Sequence, residues 1–276
     1  IGNLENREME IVQSLAKWKR MALADLGFKH GTGLYTDMNA IRPDDDLDAI
    51  HSIYVDQWDW ELVMGKHDRN LEFLKQVVRK IFSAMKRTEF LVSEMFSPCP
   101  PTLPDQITFI HSEDAQKQYP ELSPQEREKV LAEKYGAIFL IGIGSPLADG
   151  VSHGGRAPDY DDWSTKSDEE HTGLNGDIIV WDAVRQDSME LSSMGIRVDQ
   201  QTLLRQLEIR NAQQRVNLYW HKRLLSGELP QTIGGGIGQS RLCMYLLKKA
   251  HIGEVQASVW PEEVLAEAKA MHVFLM

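Results

Sequence analysis

The chain has 276 residues, 42% of them hydrophobic and 26% charged. That composition excludes a disordered tail, a fibre or a coiled-coil rod, and its length suits one large domain or two small ones at roughly 150 residues each. A net charge of −11 disfavours nucleic acid as the main partner, though a local nest of cations still suits a small polyanion.

The pattern predicts a strand over residues 8–12, then a helix capped by Ser14 and running to Leu26, with Gly27 past its end. Strands follow over 34–42 and 52–60. In the second, Ile53, Val55, Gln57 and Asp59 share one face. A helix over 69–96 carries an apolar stripe of Leu71, Leu74, Val78, Ile81 and Met85. A short strand is expected over 107–111. Ser123 and Glu126 then form a capping box around Pro124, and Gly136 closes that helix. The unbroken apolar run 137–143 reads as a strand covered on both faces. It is also the longest such run, far short of the roughly 20 residues a membrane helix needs. Further strands are expected over 176–182 and 190–198, and helix over 203–225 in two pieces. Gly234-Gly235-Gly236 reads as a glycine-rich turn into a helix over 238–249, and Pro261 starts the last helix. Several strands follow one another through short turns. The expected fold class is therefore α+β, a largely antiparallel sheet flanked by helices, in a single domain spanning residues 1–276.

Cys99 and Cys243 have no metal-like spacing and form no disulfide framework, so a reducing, cytoplasmic setting is expected. Cys99 sits in a Pro-rich turn, and Cys243 is expected to pack on a helix. No leader peptide is expected at the start of the chain. The histidines have no H-E-x-x-H spacing and read as structural or surface groups, and no G-x-S-x-G supports a serine nucleophile.

Four groups carry chemistry. Gly236 and Gly238, before Arg241, allow close backbone approach to an anion, with Arg241 able to stack on a base or pair with a phosphate. The segment is neither a Rossmann nor a Walker fingerprint. Arg42, at a strand end beside Pro43, suits a phosphate, although taken alone the segment with Asp44, Asp45 and Asp46 reads more readily as a solvated turn. Gln57 and Asp59 interrupt an apolar face and call for a polar partner such as a substrate ammonium. Asp177 and Glu190, carboxylates on apolar strands, suit Mg²⁺, while the acidic run Asp159, Asp161 and Asp162 alternatively reads as a surface loop. Arg197 follows Glu190 at a spacing that would let them pair across a bend at Gly195.

An Arg near a strand end, then Glu190-Leu-Ser-Ser-Met-Gly-Ile-Arg197 and Gly236-Ile-Gly-Gln-Ser-Arg241, resemble the catalytic core of class II aspartyl- and asparaginyl-tRNA synthetases, while Ser14-Leu-Ala-Lys-Trp-Lys-Arg20, His51-Ser-Ile-Tyr-Val-Asp-Gln-Trp-Asp-Trp-Glu61, Arg156-Ala-Pro-Asp-Tyr-Asp-Asp-Trp-Ser164 and Gly173-Leu-Asn-Gly-Asp177 join them in a closer one. The closer resemblance is to the ammonia-dependent asparagine synthetases, the aspartate–ammonia ligase family. It implies a class II synthetase-like antiparallel sheet, a homodimer, and use of ATP and Mg²⁺ to join L-aspartate and ammonia through a β-aspartyl-adenylate. It implies Arg42 and Arg241 on the ATP phosphates, Asp177 and Glu190 near ATP and metal, Arg197 on the substrate α-carboxylate, and Lys19, Gln57, Asp59 and Asp161 around the aspartate. The family also has a segment before the position of Ile1, with a dimer-forming helix and an acidic loop over the aspartate. The alternatives are a tRNA synthetase core, which the charge and the lack of a tRNA-binding domain disfavour, and a non-catalytic nucleotide- or amino-acid-binding paralogue.

Overall fold

The computed structural model describes residues 5–8, 12–44 and 46–276. The strand expected over 8–12 falls mostly outside the described residues, and its two ends, Glu8 and Val12, are not in a strand. The elements are α1 (Ala16–Asp25), β1 (Gly33–Ile41), β2 (Tyr54–Val63), α2 (Leu71–Met95), β3 (Thr108–His111), α3 (Ser112–Gln118), α4 (Pro124–Tyr135), β4 (Ala137–Ile141), β5 (Asn175–Asp182), β6 (Asp187–Ile196), α5 (Gln200–Ile209), α6 (Tyr219–Leu225), β7 (Thr232–Gly238), α7 (Gln239–Leu246) and α8 (Glu262–Ala270). The strands form one seven-stranded sheet in the order β1-β2-β7-β6-β5-β4-β3. Every neighbouring pair is antiparallel except β3 and β4, so the expected α+β architecture holds.

Local chemistry explains the element ends. In α4 the Ser123 hydroxyl accepts from Glu126 N–H while the Glu126 carboxylate accepts from Ser123 N–H, and Gly136 closes the helix at φ +74°. Asn70 caps α2 by accepting from Phe73 N–H. Ser14 is one residue too early to cap α1. Its hydroxyl accepts from Ala16 N–H at 3.2 Å, and Leu15 holds the cap position.

The core lies on both sides of the sheet. Ala137, Phe139 and Ile141 face the α2 stripe of Leu74, Val78, Phe82 and Met85. Ile138 and Leu140 face Leu131 and Ala132 of α4. This two-sided cover accounts for the unbroken apolar run. A third cluster, around Leu203, Leu207 and Leu224, holds α5 and α6 together.

Two expectations are corrected. The triple glycine is no turn. It forms the middle of β7, a central strand between β2 and β6, and α7 starts only at Gln239. Periodicity cannot reveal such a strand, because its pockets are filled by neighbours' side chains rather than its own. Cys243 lies on α7 as expected, but on the exposed face, because Leu242, Met244 and Tyr245 take the buried one. Among the described residues no helix is long and apolar enough to cross a membrane.

Candidate active site

The site is built where β2 crosses β7. Gln57, Asp59 and Glu61 alternate along β2 and therefore project from one face. Their register partners on β7 are Gly238, Gly236 and Gly234. A Cβ on Gly236 would lie 2.7 Å from both Asp59 Oδ1 and Gln57 Oε1, and one on Gly234 would lie 2.0 Å from Glu61 Oε2. The glycines thus leave room on the sheet for a row of polar side chains.

Above this row lies a cleft with two adjoining lobes. One, about 200 Å³, is lined by Arg42, Asp56, Gly238 and Arg241, among others. The second, about 500 Å³, is lined by Lys17, Asp59, Arg156, Asp159, Asp161 and Ser193, among others. Arg42, Gln57, Glu190 and Gly236 belong to both walls. The cleft therefore joins an arginine-flanked lobe to a lobe rich in carboxylates.

Each wall residue is positioned by its backbone. Arg42 follows the last residue of β1, and its N–H donates to Ile53 O. Arg241, one turn into α7, donates to Ile50 O and Glu190 O at 3.1 Å and lies 3.8 Å from the Glu190 carboxylate. Glu190 and Ser193 are three apart, so regular alternation would put them on opposite faces. A bulge at Ile178/Ile179 in the β5–β6 pairing shifts the register, and both reach the same lobe. The protein around Glu190 and the neighbouring Asp177 carboxylate push its carboxyl above the usual range. Asp177 itself is buried behind the wall, and Arg156 Nη2 donates to both of its oxygens.

Lys19 and Arg197 lie beneath the floor and line neither lobe. Lys19 is fully buried, with Nζ 3.3 Å from Asp59 Oδ2 and bonded to Trp60 O and Gly235 O. Burial and the Arg197 charge hold its ammonium below the ordinary value. The expected Arg197–Glu190 pair does not form. Arg197 Nε lies 3.2 Å from both Glu61 oxygens, Nη1 bonds to Asp161, and the guanidinium stacks 4.1 Å from the Tyr160 ring centre. A buried arginine takes the nearest buried carboxylates, and the sheet brings β2 closer than the bend at Gly195 does. Burial pushes the Asp161 carboxyl up, with Arg197 opposing. Burial also pushes Glu61 up, but Arg197 and Lys19 together hold it below its usual value.

Nor is the acidic run a surface loop. Asp159, Asp161 and Asp162 are all buried. Asp159 bonds to Lys17 at 2.9 Å, Arg215 at 3.3 Å and His221 at 2.8 Å, and Asp162 is paired with Arg69. Two functional candidates were missed as individuals. Glu61 was the next member of the Gln57–Asp59 alternation, a signal visible in the sequence. Arg156 had no spacing signal, and its Nε is buried in the lobe wall without a hydrogen-bond partner.

Residues 1–272 match the family described as aspartate-ammonia ligase. An aspartate–ammonia ligase of Parabacteroides distasonis is 60% identical over all of this chain, which spans 80% of that protein. One from Bacteroides fragilis is 55% identical with the same coverage. An asparaginyl-tRNA synthetase of Pyrococcus horikoshii, solved with asparaginyl-adenylate, superimposes with a TM-score of 0.66 at 15% identity, covering 90% of this chain and 57% of its own. That likeness shows the class II synthetase fold, of which this chain spans little more than half the synthetase's length. By its family match and the identity of its relatives, the chain belongs to the aspartate–ammonia ligase family.

Proposed function

We propose how this ligase, which makes L-asparagine from L-aspartate, ammonia and ATP, divides the work between the two lobes. ATP occupies the lobe of Arg42, Gly238 and Arg241. L-Aspartate occupies the lobe of Gln57, Asp59 and Asp161. The side-chain carboxylate of the substrate attacks the α-phosphate at the shared wall, forming β-aspartyl-adenylate and releasing pyrophosphate. Ammonia then adds to the activated carbonyl and AMP leaves, giving L-asparagine after loss of a proton. The observation that carries this reading is the wall shared by both lobes, because one donor set there meets both reactants.

The chain supplies charge and position rather than a nucleophile. Arg42 and Arg241 neutralise phosphate charge as it shifts in the transition state. Asp59 and Asp161 meet the α-ammonium, with Lys19 and Arg197 holding those carboxylates from below. Arg197 so becomes a positioning residue. The partnerless Arg156 Nε suits the α-carboxylate in its place. Glu190 faces the cleft beside Asp177, with Arg241 3.8 Å from its carboxylate and Arg156 also acting on it. Glu190, with Asp177 behind it in the grip of Arg156, fits Mg²⁺, whose chemistry when bound is to screen the triphosphate.

Three further features complete the proposal. Residues 1–276 serve as one catalytic domain. An apolar groove between β1, β2 and α2, with Leu34, Trp58, Val77, Ile81 and a 71% exposed Tyr35, fits a second copy of the chain in a homodimer. Ammonia requires no basic docking surface, so the net charge of −11 suits a ligase that uses no tRNA. Two free cysteines suit a reducing cytoplasm. The test is synthesis with labelled ammonium. The label is expected in the side-chain amide, with AMP and pyrophosphate as co-products. ADP and phosphate, or charged tRNA as the product, refutes the scheme.

A further inference from the structure

Away from the cleft, at the other edge of the sheet, two histidines stack with ring centres 4.2 Å apart. His111 ends β3 and precedes α3, while His171 lies in the loop before β5. His111, Glu113 and His171 each bring one potential ligand atom within 4.8 Å of the others. Asp114 lies outside this group but beside it, its Oδ1 3.1 Å from His171 Nε2, from where it would have to turn to become a fourth ligand.

The outer nitrogens are already held. Thr172 O accepts from His111 Nε2 at 2.8 Å, which leaves the lone pair on Nδ1. That lone pair accepts the Glu113 N–H at 3.2 Å, the cap of α3. His171 Nδ1 bonds to Asp168 at 2.9 Å, which leaves Nε2 facing Asp114. A carbonyl or carboxylate behind each imidazole is the arrangement that orients histidine ligands toward a metal. Gly142 makes room for it: a Cβ there would lie 2.4 Å from His111 Nε2. The local charge also favours a cation. Glu113, Asp114, Asp168 and Glu170 outnumber Lys117, which lies 3.8 Å from Asp114 and from Glu170.

We propose that His111, Glu113, Asp114 and His171 form a zinc-type divalent-cation site that clamps the loop before β5 onto α3. Two imidazoles with two carboxylates select a borderline ion such as Zn²⁺ over Mg²⁺. Binding requires neutral His171, so one proton leaves Nε2 and the Asp114 oxygen turns from the ring N–H to the metal. The clamped loop continues from Asp159 and Asp161 of the cleft wall, so the metal would tether the segment that shapes the aspartate lobe.

The test is a titration of chelator-treated full-length enzyme with Co²⁺, read by its visible ligand-field bands, and with Zn²⁺, read by calorimetry. One equivalent should saturate the wild type with the spectrum of a four-coordinate nitrogen–oxygen site. His171→Ala should lose the bands. Asp168→Asn, which removes only the group behind His171, should weaken binding about 10–100-fold. Asp177→Asn, a change behind the cleft wall, should leave the bands intact. The proposal falls if the wild type shows no stoichiometric uptake, if His171→Ala keeps the bands, or if Asp177→Asn removes them.

Discussion

β4 and β7 are both inner strands of one sheet, yet they are built in opposite ways. All five residues of β4 are buried and apolar, and they fill both sides of the sheet with their own side chains. At its middle β7 has three glycines; the space over Gly234 and Gly236 is filled by Gln57, Asp59 and Glu61 of β2 and by Arg197 just after β6, while Gly235 meets Met194 on the other face. One strand supplies core. The other supplies absence of bulk, and so lets charged groups lie deep in the sheet in pairs. An unpaired buried charge would be far costlier than the paired ones seen here.

The largest expected effect comes from filling that absence. Gly234→Ala puts a methyl 2.0 Å from Glu61 Oε2 and 2.6 Å from Arg197 Nη2, and neither group can withdraw without leaving its partner. Failure to fold, or a molten product by near-ultraviolet circular dichroism, is expected. A variant melting like wild type would show the polar row to be loosely held. In β4 the converse change, Phe139→Ala, removes packing without disturbing charge and should cost about 3–5 kcal/mol in denaturant unfolding.

Arg241→Ala, in the first turn of α7 just after β7, should spare stability and lower kcat/KM by two to three decades, about 3–4 kcal/mol at the barrier. Equal losses in Tm and rate would make it a structural residue. Asp159 gives a smaller, pH-dependent signal. Burial pushes its carboxyl up, but the bonds to His221 and Lys17 outweigh this and hold it below the usual range. Its stabilisation is therefore complete above the unfolded value of about 3.9 and fades as pH falls toward the folded one. Asp159→Asn should cost about 1.5–3 kcal/mol at neutral pH. The difference in Tm from wild type should shrink below about pH 4. The smallest effect is Ile138→Val on β4, about 0.5–1.5 kcal/mol with unchanged kinetics.

Much of this was legible before any coordinates. Periodicity located α2 and its buried stripe, capping chemistry located α4, and the apolar run located β4, because each signal comes from residues close in the chain. The order of short motifs pointed to the class II synthetase-like fold and to the ligase family. Alternation placed Gln57 and Asp59 on one face, and both line the larger, carboxylate-rich lobe.

What the sequence left undecided all depends on strand neighbours. Glycine reads the same in a turn as in a strand emptied for its neighbours, so β7 emerged only from its pairing with β2 and β6. Whether Arg197 faces Glu190 or Glu61 is a choice between partners of similar chemistry. It is made by the sheet order, which lays β2 and β6 on either side of β7. Likewise, one bulge turned Glu190 and Ser193 to the same lobe. The sequence by itself determined the helices and strands whose signals are local, and which residue types the chemistry has at hand. Only the tertiary structure decided which buried charges meet, because an ion pair is set by proximity in space and distant segments come close only when the sheet closes.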